Sequence, residues 1–155
     1  MNTASLRAEY EFDLPVPPKE AFAWLSDPAR DPEWQAGCVD TKLLNGAARE
    51  GCRYEITFAL IGKRMTFTVD ITAYEPGRRS RFHVVDGPFG YTGTYDYTER
   101  PDGTTGVHWT FDVEPGDYFG IMPKSLLRKV LVSQVKKDSG RLADRLAQAE
   151  RPRSS

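Results

Sequence analysis

Residues 64–75 read Arg-Met-Thr-Phe-Thr-Val-Asp-Ile-Thr-Ala-Tyr-Glu, a strict period-two pattern. Met65, Phe67, Val69 and Ile71 fall on one side, and Thr66, Thr68, Asp70 and Thr72 on the other. Successive side chains of a strand point to opposite faces, so the stretch predicts a strand with one buried and one wet side. The same alternation recurs along the chain and assigns a face to nearly every polar residue in the sheet.

Upstream, Ala8, Tyr10, Phe12 and Leu14 alternate with Arg7, Glu9, Glu11 and Asp13, which predicts a first strand ended by Pro15, Pro17 and Pro18. Lys19 to Leu25 predicts a short helix burying Phe22 and Leu25, with Pro18 at its start where a missing N–H is harmless. Asp31-Pro32-Glu33-Trp34 predicts a second helical turn with Asp31 as its N-cap. Strands follow at Val39–Leu44, Arg53–Leu60, Arg64–Tyr74, Ser80–Asp86, Phe89–Glu99 and Thr105–Glu114. The turns between them include Ile61-Gly62-Lys63, Glu75-Pro76-Gly77, Gly87-Pro88 and Pro101-Asp102-Gly103. From about Pro123 to Ala149, Leu127, Leu131, Val135, Leu142 and Leu146 recur at helical spacing, and Gly140 interrupts at a cost of about 1 kcal/mol relative to Ala.

Hairpin-length connections make the sheet antiparallel, and the long amphipathic helix is the one element large enough to cover its apolar face. The fold class is therefore α+β: a curved antiparallel sheet of six to seven strands wrapped around a long C-terminal helix, with two short helices after the first strand. At 155 residues the chain reads as one domain over 1–150, with 151–155 a disordered tail. The net charge of −1 gives no reason to expect nucleic acid. Cys38 and Cys52 lie in no zinc-ligand spacing, so no metal and no cofactor are expected. No apolar stretch approaches the roughly 18 residues of a membrane span and no signal peptide is apparent, so the expectation is a cytoplasmic protein without membrane insertion. Oligomeric state is not legible.

Several local sequences, taken in order, resemble one superfamily. They are Pro17-Pro18 leading into Ala21-Phe22-Ala23-Trp24-Leu25, then Asp31-Pro32-Glu33-Trp34, Tyr74-Glu75-Pro76-Gly77-Arg78-Arg79, Gly87-Pro88-Phe89-Gly90-Tyr91 and Pro101-Asp102-Gly103-Thr104, before the long helix. The set is similar to the START-like (SRPBCC) superfamily, and within it to the polyketide cyclase/dehydrase-type branch. The resemblance spans roughly residues 7 to 150. It implies a helix-grip fold with a cavity between sheet and C-terminal helix, holding a hydrophobic small molecule such as a lipid or polyketide. Some members are enzymes and others are noncatalytic carriers or sensors, so the fold alone leaves catalysis open.

The inward set supplies the candidate ligand contacts Tyr54, Phe58, Phe67, Phe82, Tyr91, Tyr95, Tyr97, Trp109 and Phe111, joined by Leu127 and Leu131 from the helix. Such residues also fill ordinary cores. The tyrosines stand out because a buried phenol needs a hydrogen-bond partner. Asp86 is in phase with the inward face near a strand end, which makes it the candidate polar group at a cavity mouth. Alternation sends His83, His108, Asp70, Asp96, Asp112, Arg53, Arg64 and Arg81 outward. Aromatic polyketide cyclases, by resemblance, use polar cavity groups that include an arginine, and no strand arginine meets that requirement in this phase. Arg128, Ser133 and Gln134 are the polar helix residues whose rotation decides whether they reach the pocket. Trp34 reads as a plug between the short helices and the sheet, and the segment around Asp117–Met122 as a loop beside the entrance. The pattern favours holding a molecule over exchanging protons with it, and a helix packed onto the sheet with no pocket above about 300 Å³ would count against any ligand.

Overall fold

The structure is a computed structural model that describes residues 5–60 and 62–150. The tail expected at 151–155 and Ile61 of the hairpin turn lie outside the described residues. Seven strands, β1 (Leu6–Leu14), β2 (Cys38–Leu43), β3 (Arg53–Leu60), β4 (Lys63–Glu75), β5 (Arg79–Asp86), β6 (Gly90–Glu99) and β7 (Thr105–Glu114), form one sheet in the order β1-β7-β6-β5-β4-β3-β2. Every neighbouring pair is antiparallel. Helices α1 (Pro18–Leu25) and α2 (Asp31–Trp34) follow β1, and α3 (Lys124–Glu150) ends the chain.

Alternation assigns the faces of β4 correctly. Met65, Phe67, Val69 and Ile71 are buried, and Val69 is paired with both Tyr54 and Val84 across its neighbours. On the outer face, arginine and aspartate sit directly opposite one another, as Arg7–Asp112, Arg53–Asp70 and Arg79–Asp96, each at 2.7 Å. His83 bonds Thr92 on the same face through Nδ1 at 2.8 Å, and His108 lies 3.0 Å from Glu9. Both histidines therefore belong to the outer surface.

Asp86 departs from the expectation. Val69 pairs with Val84 but Thr68 pairs with Asp86, so Val85 is an extra residue in β5. That bulge shifts the phase and carries Asp86 to the outer side, where it is exposed. A second correction concerns Asp31. Arg30 takes the N-cap position of α2, and Asp31 is the first helical residue and is buried. A three-residue 3-10 turn at Pro28–Arg30 runs straight into α2 and rotates Asp31 inward; Asp27 caps that turn by accepting from the Ala29 N–H at 3.0 Å.

Helix α3 lies along β1, where the Arg128 guanidinium donates to the Arg7 carbonyl at 2.9 Å. Leu127, Leu142 and Leu146 anchor its two ends in the core, each burial worth roughly 1.5–3 kcal/mol. Its middle is different: Leu131, Val132, Gln134 and Val135 are only half-buried. Gly140 is exposed with open space around it, so it marks no close packing. The helix is held firmly at both ends and bridges a gap between them.

Candidate functional site

The gap is a two-lobed cavity between the inner sheet face and the middle of α3. The larger lobe, about 130 Å³, is walled by Phe58, Met65 and Phe89 on one side, Trp109 and Phe111 on another, and Leu131, Gln134 and Val135 of α3 above. The smaller, about 50 Å³, lies deeper, between α2 and the sheet. Gln35, Tyr91, Tyr95, Trp109 and Phe111 line both, so the lobes adjoin across these side chains. Exposed Ala59 with half-buried Gly37, Leu60 and Gln134 line the larger lobe where it meets the surface. Both lobes fall short of the roughly 300 Å³ set for a ligand cavity, which counts against a large ligand; aromatic rings occupy the space, with Tyr91 and Phe111 4.7 Å apart and Trp109 stacked on Phe111 at 5.5 Å.

Gly93 explains the deep lobe. It faces inward on β6 between Tyr91 and Tyr95, and a Cβ there would meet Phe111 at 3.4 Å. With no side chain at that position, the space between the two phenols stays open.

The sequence candidates divide. Phe58 and Leu131 line the larger lobe, Tyr54 and Phe82 the smaller, and Tyr91, Tyr95, Trp109 and Phe111 both. Phe67 stands behind the wall, packed edge-on against Phe58, Phe89 and Tyr91. Leu127 is a core anchor away from either lobe. Tyr97 also lies outside the cavity, its hydroxyl 2.9 Å from Ser26 and 3.2 Å from Ser80 in a closed triangle of hydroxyls. Asp86 is remote from both lobes. Tyr118 and Phe119 of the segment before α3 pack against Phe89, with the Lys63 ammonium over the Tyr118 ring, and so flank the cavity without lining it.

Alternation missed the two carboxyls. Asp138, only 4% exposed, lines the larger lobe. It accepts from the Ala36 N–H and the Gln134 amide, both at 3.2 Å, and pairs with Arg141. Burial nevertheless pushes its pKa up, opposed by those three partners. This is a strap that ties α3 to the chain after α2. Its signal was present in the sequence, since Asp138 falls in phase with Leu131, Val135 and Leu142 on the buried side of the helix.

Asp31 has no such partners. It lines the deep lobe with Tyr54, Tyr91 and Tyr95, and among the described residues none of these four side chains has a hydrogen bond. All four are more than nine-tenths buried. Burial raises the Asp31 pKa well above the usual carboxylate range; the nearby Trp34 indole opposes this and the Asp27 charge adds to it. The Trp34 N–H itself is fully enclosed and reaches no acceptor at hydrogen-bond geometry. Burial also raises all three phenols, with the Asp31 charge contributing to each. At neutral pH the deep lobe thus holds three neutral phenols and a carboxyl biased toward its protonated form. Cys38, pushed up to about 12 mainly by burial, is an unreactive thiol. No group of side chains among the described residues has the make-up of a metal site.

The family described as "Polyketide cyclase / dehydrase and lipid transport" matches residues 5–149. The chain belongs to this family. No curated protein is significantly similar to it in sequence. Solved structures share its helix-grip fold. A START superfamily protein from Mycobacterium smegmatis superposes with a TM-score of 0.78 at 13% identity, covering 92% of this chain and 98% of its own. A Thermus thermophilus protein gives 0.74 at 22% identity, covering 96% and 100%. Major latex-like protein 151 from Panax ginseng gives 0.68 at 15% identity, covering 88% and 97%. At such identities these likenesses speak to the fold alone. No helix among the described residues is long and apolar enough to cross a membrane.

Proposed function

We propose that this family member binds a small, mostly apolar molecule, polyketide- or lipid-like, in the cavity under α3. The observation that carries this reading is the continuous aromatic lining of Phe58, Phe89, Tyr91, Trp109 and Phe111 beneath the half-buried middle of the helix. Apolar walls with a few polar groups are what small-molecule sites are built from. A cavity of about 150 Å³ admits one benzene ring, and the larger lobe at about 130 Å³ is of that order. The occupant is therefore a single ring or short chain, or a longer molecule whose remainder lies in the opening beside Leu60 and Gln134.

Binding is the primary role; cyclase- or dehydrase-like catalysis is a second reading, favoured by the buried, unpaired carboxyl of Asp31. Native mass spectrometry of the protein purified from its own host tests the first. The expected result is a mass excess that disappears on denaturation and is lost in Leu131→Trp, which fills the larger lobe. A retained molecule unaffected by Leu131→Trp would place the ligand elsewhere and end this reading. Recovery of the molecule unchanged after prolonged incubation speaks for a carrier or sensor, and conversion to a cyclised or dehydrated product for an enzyme.

A further inference from the structure

The deep lobe carries chemistry that an apolar pocket does not require. Asp31 comes from α2, Tyr54 from β3, and Tyr91 and Tyr95 from β6, so three separate elements deliver hydroxyl-bearing groups to about 50 Å³. Each is more than nine-tenths buried and none makes a hydrogen bond of good geometry among the described residues, the Trp34 indole N–H beside Asp31 being the nearest donor. Their oxygens are not sealed off, because Trp34 Nε1 is the one fully enclosed side-chain polar atom without a partner among the described residues. The same strand shows the contrast, since Tyr97 is fully satisfied by Ser26 and Ser80. We propose that the deep lobe is a carbonyl-recognition subsite, in which two of the O–H groups of Asp31, Tyr54, Tyr91 and Tyr95 donate to a carbonyl oxygen of a ligand whose apolar body lies in the larger lobe, the other two donating to oxygens of their neighbours.

The sign of the recognition follows from what surrounds Asp31. Among the described residues no cation lines the deep lobe. Burial acts on it most, the Trp34 indole N–H beside it favours the charged form, and Asp27 before α2 is the one charge among the described residues that shifts it; the Cys38 thiol of β2 and the three phenols are neighbours whose own titration the Asp31 charge shifts. A carboxyl in that setting keeps its proton, and burial raises its pKa accordingly. All four groups then present an O–H, and although each can also accept, no group among them is an acceptor alone. A ketone or similar carbonyl supplies lone pairs and no hydrogen, whereas an ammonium group would add donors to a site already full of them. A hydrocarbon would offer none of them an acceptor.

This inference rests on the cavity being the ligand site, and the test separates the two. NMR titration of the full chain at pH 6 compares acetophenone, ethylbenzene and 1-phenylethylamine, which share a ring and a two-carbon side chain. Acetophenone is expected to bind about tenfold more tightly than ethylbenzene, because a site built to hydrogen-bond a group discriminates against the analogue that lacks it. The cationic amine is expected to bind most weakly. Acetophenone affinity should fall as pH rises and Asp31 ionises, and Asp31→Asn should keep the ketone preference while removing that pH dependence. Tyr95→Phe should lower ketone affinity and leave ethylbenzene unchanged. Equal affinities for acetophenone and ethylbenzene would overturn the carbonyl subsite and leave the apolar cavity standing. A preference for the amine would overturn it by showing an ionised Asp31, and failure of all three to bind would overturn both readings.

Discussion

Tyr95 and Tyr97 stand two residues apart on the same face of β6, 8% and 7% exposed. Tyr97 sits at the end of the sheet where α1 closes over it, and its hydroxyl shares a triangle with Ser26 and Ser80, which are themselves 2.8 Å apart. Tyr95 sits where α3 bridges a gap, beside Asp31, with no partner. Residue type, strand and burial are the same. What differs is whether the neighbouring element supplies a matching polar group, and that separates a core residue from a site residue.

The largest expected effect comes from breaking the closed end. Phe22 of α1 is 3% exposed and packs against Tyr74 at 4.8 Å and Tyr97 at 5.4 Å. Phe22→Ala should cost about 3–5 kcal/mol in urea denaturation. Phe89→Ala at the open end should cost roughly half of that or less, since Phe89 is only half-buried. It should also enlarge the larger lobe and admit bulkier ligands. Equal losses at the two positions would mean that the open end is as tightly packed as the closed one.

Asp31 gives the next effect, and its sign is specific. Its pKa is raised in the folded state, mainly by burial, whereas an unfolded Asp titrates near 3.9. As pH rises above that value the unfolded chain releases its proton first, so the unfolded state binds fewer protons and stability falls until the folded pKa is passed. Asp31→Asn removes this loss. The variant should match the parent near pH 3 and be more stable at pH 8 by about 1–3 kcal/mol, the range for a buried polar group left unsatisfied. Contributions from the other carboxyls cancel in the difference. A variant less stable than the parent at pH 8 would show that the carboxylate is ionised and held by partners.

These contrasts also mark what could be read from the chain itself. Period two across β3, β4, β6 and β7 gives the inward aromatics and the outward side of Arg53, Asp70, Asp96 and Asp112, because each strand samples both faces several times. Asp86 escaped because one extra residue, Val85, reverses the phase. Asp31 escaped for another reason: a helix of four residues has barely one turn, too little for a period to show a face, and the preceding 3-10 turn sets its rotation. Asp138 was legible in principle, as a charge at a position where Leu131, Val135 and Leu142 predict an apolar residue. The long regular elements, with the cavity's three phenols, were thus readable, and its two carboxyls sit at an irregularity or interrupt a pattern.

The smallest effects decide the tyrosine comparison itself. Tyr97→Phe removes one corner of the hydroxyl triangle and leaves Ser26 and Ser80 bonded to each other, so it should cost about 1 kcal/mol, the net worth of a typical hydrogen bond. Tyr95→Phe removes a hydroxyl with no protein partner among the described residues, and its effect on stability should lie within about 0.5 kcal/mol of zero. The order should reverse for ligands, with Tyr97→Phe neutral and Tyr95→Phe weakening a bound ketone. Urea denaturation and NMR titration of the same two variants measure both halves. A Tyr95→Phe loss as large as that of Tyr97→Phe would mean that the Tyr95 hydroxyl serves the fold, and the open end would then be core in the same sense as the closed one. Stability unchanged at Tyr95 together with weakened ketone binding would mean that the hydroxyl is kept for a molecule from outside.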